Sequence, residues 1–258
     1  MPASLAMSRW TSAKRTMGSL AGCGTVTAMN LAIAYGRFAA AVNSLLLVLL
    51  LGPLLFAGAP AHAQSGPVKI AILGDSLAAG YGIKPEQAFP IRLQEGLKAQ
   101  NRNVTVLNQG VSGDTSAGGL ERLDWMLTDK PDIVLVELGG NDALRGIDPK
   151  TTEKNLSAIL EKLKAANVTV WLAGMMAPRN LGSDYVKEFD GLYRRIADKY
   201  EVPLYPFILD GVAQDPALNQ GDGIHPNPKG AQIVADKLLP FVTKNLDDAA
   251  AVHRPSHP

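Results

Sequence analysis

Residues 133–138, within DIVLVELGGND, form a near-continuous apolar run that stops at two glycines. A strand that is apolar on both faces needs cover on both sides. The centre of a parallel sheet, with helices above and below, supplies that cover. The chain beyond Ala63 has the matching alternation. Residues 68–73, 104–107, 168–172 and 202–205 read as further strands, β-branched and apolar between breakers. Residues 89–100 carry Ile91, Leu93 and Leu97 at helical spacing, and residues 156–166 carry Leu156, Ile159, Leu160 and Leu163 as one stripe. Residues 120–127, 185–200 and 229–245 also read as helices. Strands alternating with helices predict an α/β layer fold with a mostly parallel five-stranded sheet and right-handed crossovers. Residues 64–246 hold no internal repeat and no linker, so they are expected to form one domain. Residues 247–258 lack periodicity and are expected to be a flexible tail.

The first 63 residues have a different chemistry. They contain Arg9, Lys14, Arg15 and Arg37 but no acidic residue, so all 24 Asp and Glu lie beyond them. Residues 45–51 are uniformly apolar, Leu54, Leu55 and Phe56 extend the run past Gly52-Pro53, and Ala61-His62-Ala63 offers a small-x-small exit. Bases, a short apolar stretch and small residues in this order predict a secretory signal peptide over residues 1–63, cleaved before Gln64. Export to the periplasm or medium follows, with no membrane anchor after processing. A retained anchor is the rival, but the apolar stretch is short and broken for a spanning helix. The basic region is long, and Met29 is an alternative start. Leu20-Ala21-Gly22-Cys23 resembles a lipoprotein box, yet no apolar stretch precedes it.

The composition removes several function classes. A net charge of +1, without a basic excess, gives no footprint for nucleic acid. Cys23 is the only cysteine, so the chain has no internal disulfide. Of the four histidines only His225 lies in the body, since His62 precedes it and His253 and His257 are in the tail. That leaves little for a zinc site, and any imidazole chemistry falls on His225.

In open parallel sheets the ligand sits at the carboxyl ends of the strands. Small polar clusters stand where the first three strands end. Gly74-Asp75-Ser76-Leu77 follows the first, and a serine there, at a strand end and a helix start, favours developing negative charge. Ser76 as a plain helix N-cap is the competing reading. Ala78 departs from the G-x-S-x-G elbow, and no Lys-Ser/Thr pair makes a phosphate loop of Gly80-Tyr81-Gly82. Ser112-Gly113-Asp114-Thr115-Ser116 follows the second strand. Gly113 permits close backbone approach, and its N–H can donate, although an ordinary capping turn fits too. Gly139-Gly140-Asn141-Asp142 follows the central strand. Its glycines clear space and the Asn141 amide can donate to an oxyanion, whereas an Asx turn alone does not need the Gly-Gly pair. Gly221-Asp222-Gly223-Ile224-His225-Pro226 precedes the last helix. A serine nucleophile needs a general base, and that base needs a carboxylate to fix its tautomer. Asp222, three residues before His225, can supply it within one loop.

GDSL, SGDTS, GGND and DGIHP, in this order and spacing, resemble the SGNH/GDSL hydrolase family over nearly the whole body. VLVELGGNDALRG, APRNLG and VPLYPFILDGV are similar to its thioesterase, lysophospholipase and arylesterase branch. The resemblance implies a three-layer α/β/α flavodoxin-like fold. It implies Ser76 as nucleophile, His225 as base and Asp222 as its partner. It implies an oxyanion hole from the Ser76 N–H, the Gly113 N–H and the Asn141 side chain, with no metal or cofactor. The expected activity is hydrolysis of carboxylic esters and thioesters through an acyl-enzyme, by a monomer with no nucleic-acid partner. Leu77, Ala78, Met175, Met176, Pro178 and Leu181 are expected to flank the serine as an apolar acyl groove, with Arg179 the one base nearby. A carbohydrate O-deacetylase of the same family is the alternative activity. A non-catalytic envelope-binding domain is a third.

Overall fold

The computed structural model describes residues 66–252. The expectations about a signal peptide, Cys23 and the start at Met29 lie outside the described residues.

The sheet has five strands: β1 Val68–Gly74, β2 Val104–Gly110, β3 Ile133–Glu137, β4 Thr169–Ala173 and β5 Leu204–Tyr205. Their order is β2-β1-β3-β4-β5, and every neighbouring pair is parallel. This is the flavodoxin-like doubly wound order. All five residues of β3 are buried, as expected of a strand with cover on both faces. The chain leaves β1 in one direction towards β2 and returns on the other side of it as β3. The loops after β1 and β3 therefore diverge, and a crevice opens between two paired strand ends.

Eight α-helices flank the described sheet: α1 Ser76–Ala79, α2 Phe89–Ala99, α3 Ser116–Glu121, α4 Leu123–Met126, α5 Gly140–Leu144, α6 Pro149–Ala165, α7 Ser183–Tyr200 and α8 Pro228–Val252. Helix α2 packs on α8, while α6 packs on both α3 and α7. Right-handed crossovers put the first pair on one face and the second group on the other, which makes three layers. The core is continuous, from Ile70, Ile72, Leu135 and Trp171 of the strands to Leu93, Leu160, Phe189 and Leu238 of the helices. No described helix is long and apolar enough to cross a membrane.

The elements depart from the sequence reading in four places, each with a physical cause. Strand β2 runs on to Gly110 because Asn108 and Gln109 satisfy their side chains locally, Asn108 donating to Ala78 O and Gln109 to Asp129. The helix expected over residues 120–127 is broken at Arg122, whose guanidinium is drawn away to Asp114 and Gly74 O. Helix α6 begins at Pro149, well before Leu156. Asp148 caps it by accepting from the Lys150 N–H at 2.9 Å, and proline occupies the first position, where no N–H is needed. Helix α8 continues to Val252, so the tail expected from residue 247 starts as helix. Arg102 ties Asp247 to the body and Lys244 pairs with Asp248 one turn on.

Candidate active site

The short helix α1 starts directly at the end of β1. Asp75 caps it, its Oδ1 accepting from the Leu77 N–H at 2.9 Å. Ser76 is thus the first helical residue and not the cap, which disposes of the competing reading of that serine. It is 8% exposed, and its Oγ lies 2.9 Å from His225 Nε2. His225 Nδ1 faces Asp222 Oδ2 at 2.6 Å. The second oxygen of Asp222 accepts from the backbone N–H groups of Ile224 and His225, at 2.9 and 3.0 Å. Those backbone and side-chain bonds to His225, and then the one to Ile224, pull the Asp222 carboxyl down to about 2. It stays ionised across any working pH, and an ionised partner at Nδ1 holds the imidazole with Nε2 turned towards the serine. The Tyr81 ring packs on the imidazole at 4.7 Å between centroids.

The loop after β2 and helix α5 complete the site. Thr115 caps α3, so neither Ser112 nor Asp114 has the capping role open to them in the sequence. Gly113 has φ +87°, a backbone state that suits glycine. Its carbonyl accepts from Arg145 at 2.8 Å. Asn141 Nδ2 donates to Asp114 O at 2.8 Å and to Asp75 Oδ2 at 3.1 Å. The N–H groups of Ser76 and Gly113 have no hydrogen-bond partner among the described residues. Gly139 has φ +114°, and a Cβ there would stand 2.1 Å from the Tyr193 hydroxyl, which donates to Leu138 O. The first glycine of the pair is thus required by the backbone.

A cavity of about 280 Å³ opens beside Ser76. Leu77, Met175, Met176 and Pro178 line it as expected. Ala78 does not, being wholly buried in the core, and Leu181 does not, lying in the 3-10 turn Arg179–Leu181. Leu144, Phe207, Leu209 and Ile224 also line it, and the sequence reading missed them. Arg179 reaches the cavity, but its guanidinium is paired with Asp190 at 2.6 Å. Among the described residues no three His, Cys, Asp or Glu groups cluster so as to hold a metal ion.

The model of the GDSL-like Lipase/Acylhydrolase family matches residues 72–233. The chain belongs to this family. The arylesterase of Vibrio mimicus is 36% identical to this acylhydrolase over 201 residues, covering 78% of this chain and 100% of that protein. Thioesterase 1/protease 1/lysophospholipase L1 of Escherichia coli K12 is 43% identical over 176 residues, covering 66% and 83% respectively. The psychrotrophic esterase EstA from Pseudoalteromonas sp., in a structure inhibited by monoethylphosphonate, superposes with a TM-score of 0.67 at 35% identity, covering 70% of this chain and 99% of that one.

Two buried carboxyls lie where β1 and β3 end, beside Ser76, and the sequence reading gave neither a role. Asp75 is 2% exposed, and burial pushes its carboxyl up to about 6, against the pull of the Leu77 N–H and of His225. Glu137, at the end of β3, is fully buried. Burial, with the charge of Asp75 second, holds it well above the usual carboxylate range. Its signal in the sequence is a lone acid inside an apolar strand. Asp142 is buried as well, and both of its oxygens accept hydrogen bonds. It accepts from the Ser116 N–H at 2.8 Å, the Ser116 hydroxyl at 2.5 Å and the Thr152 hydroxyl at 3.1 Å, so it clamps α5 to α3 and α6.

The raised Asp75 has a sign in stability. Between about pH 4 and 6 the folded chain holds a proton there that the unfolded chain has lost, so stability falls as pH rises through that window. The contribution of this group is about 3 kcal/mol at full extent. Asp75→Asn should therefore flatten the pH dependence of unfolding free energy between pH 4 and 6, as urea titrations at several pH values would measure. An unchanged slope would refute a raised Asp75.

Proposed function

We propose that this acylhydrolase is an exported serine esterase that cleaves carboxylic esters and thioesters through an acyl-enzyme on Ser76. The observation that carries the reading is the unbroken chain from Ser76 Oγ to His225 Nε2, and from His225 Nδ1 to Asp222, at 2.9 and 2.6 Å. A serine hydroxyl is a feeble nucleophile until a base takes its proton. His225 removes the proton as Oγ bonds to the acyl carbon, and Asp222 stabilises the imidazolium that results. Negative charge then develops on the former carbonyl oxygen. The Ser76 and Gly113 N–H groups and the Asn141 amide are the donors assigned to it. His225 next gives its proton to the departing alkoxide or thiolate. Water, deprotonated by His225, attacks the acyl-enzyme, and the acid leaves as Ser76 regains its proton. Base and electrostatic stabilisation are both supplied by the chain, so the route needs no metal or cofactor.

An ester-hydrolysing reading agrees with the names of the relatives, and the apolar cavity beside Ser76 suits an acyl chain. Its unbranched methionines can adapt to different chains. Each buried methylene contributes about 0.8 kcal/mol, so binding should strengthen with acyl length until the cavity is full. The enzyme is read as a monomer, without a membrane anchor once processed.

Ser76→Ala and His225→Ala should each abolish most of kcat with the fold intact by circular dichroism. The double variant should lose about as much as either alone, because such groups act as a unit. Asn141→Ala should lower kcat by about a hundred- to a thousandfold while KM holds. Esterase activity retained in His225→Ala would overturn the assignment, since the described residues hold no other histidine.

Across acetyl to palmitoyl p-nitrophenyl esters, kcat/KM should rise with length and then level off. Aryl esters and thioesters should outpace alkyl esters, their leaving groups being better. A sharp optimum at acetyl, with acetylated sugars turned over best, would replace this reading with the O-deacetylase.

For export, N-terminal sequencing of protein from the periplasm should give Gln64 as the first residue. A full-length product retained in the membrane would contradict processing after Ala63.

A further inference from the structure

Asn141 Nδ2 carries two protons, and both are already taken in the resting site. One goes to Asp114 O at 2.8 Å and the other to Asp75 Oδ2 at 3.1 Å. An oxyanion that accepts from this nitrogen must compete with one of the two. We propose that Asp75 is a positioning residue for Asn141, accepting from its amide nitrogen so that the amide is aimed into the oxyanion hole, and releasing that N–H to the oxyanion when it forms. The proposal deepens the esterase reading above and rests on it.

The orientation follows from the acceptors. Above about pH 6, where Asp75 is ionised, a turned-over amide would bring its own oxygen against the Asp114 carbonyl and the Asp75 carboxylate, three oxygens with no proton between them. Asp75 cannot move aside to relieve this. Its other oxygen is fixed by the Leu77 N–H, and it is packed against Gly140, where an added Cβ would lie 3.2 Å from Oδ2. Glycine at 140 thus leaves the space this carboxylate occupies.

The choice of which bond yields also follows. Asp114 is anchored through its side chain to Arg122 at 2.6 Å, and its carbonyl makes the shorter bond to Asn141. The bond to Asp75 is the longer one. The amide can therefore pivot about the Asp114 bond and swing its second proton from one anion to another. The timing suits the chemistry. Forming the oxyanion converts His225 to an imidazolium, and the charge of His225 already favours the ionised form of Asp75. The new cation compensates the carboxylate at the moment it loses its partner.

The test is a double-mutant cycle on the mature enzyme with a p-nitrophenyl ester. Asp75→Asn keeps a cap oxygen for Leu77 but presents N–H groups to the Asn141 amide, donor against donor. It should lower kcat about 10- to 100-fold with KM within about twofold. In the Asn141→Ala background the same change should alter kcat by less than about threefold, because Asp75 acts through Asn141. Losses that multiply would overturn the proposal, leaving Asp75 a helix cap only, and so would an Asp75→Asn enzyme with full kcat. Should Asp75→Asn fail to fold, Asp75→Ser carries the same cycle, since it keeps a cap oxygen and removes the Asn141 contact. If Asn141→Ala alone left kcat unchanged, the oxyanion hole itself would be wrong. If Asn141→Ala is slow and Asp75→Asn is not, only the present proposal fails.

Discussion

Register is the constraint on which the site depends. Gly74 pairs with Gly110 on one side and with Glu137 on the other, so β1, β2 and β3 end at one level. Three loops from distant parts of the chain therefore start side by side. A slip of one residue in either pairing would reverse the facing of a whole strand. It would also carry Ser76 away from Gly113 or Asn141. Glu137 resists such a slip, since its carboxyl accepts from the Asp75 N–H at 3.4 Å and turning β3 over would strand it.

Glycines and buried polar ties convert that register into a site. Gly110 lets the Ala79 backbone approach, since a Cβ there would stand 2.3 Å from the Ala79 nitrogen. Arg122 then links Asp114 to Gly74 O, and Arg145 links Gly113 to α5. Asp142 holds α5 to α3 from below. The donors assigned to the oxyanion thus come from rigid turns braced against each other, which is the preorganisation that electrostatic catalysis requires. The last element is α8. Asn227 caps it by accepting from the Lys229 and Gly230 N–H groups, and this fixes the turn that presents Asp222 and His225.

Much of this was legible in the sequence because its signals are local. Apolar runs between breakers marked the strands, and small polar clusters at their ends marked the site. The single histidine in the body pointed to the imidazole that stands 2.9 Å from Ser76 Oγ. Long-range effects were not legible. Asp75 stands out only once burial is known, and Glu137, although a lone acid in an apolar strand, reveals its partner only in the fold. Leu144, Phe207, Leu209 and Ile224 reach the cavity through folding of separate loops, with no shared spacing to betray them. Leu181 was misplaced for the same reason: Arg179 is the last residue of its loop to reach the cavity, and the 3-10 turn carries Leu181 out of it. The end of α8 was missed because its support is two surface ion pairs, which make no apolar stripe.

On the proposed mechanism, Ser76, activated by His225, carries the acyl group. The most direct measurement is peptide mass spectrometry after brief mixing with a p-nitrophenyl acyl ester and an acid quench. One added acyl mass is expected on the peptide that contains Ser76, and none in the His225→Ala enzyme. An acyl group on any other residue, or the same adduct without His225, would contradict it.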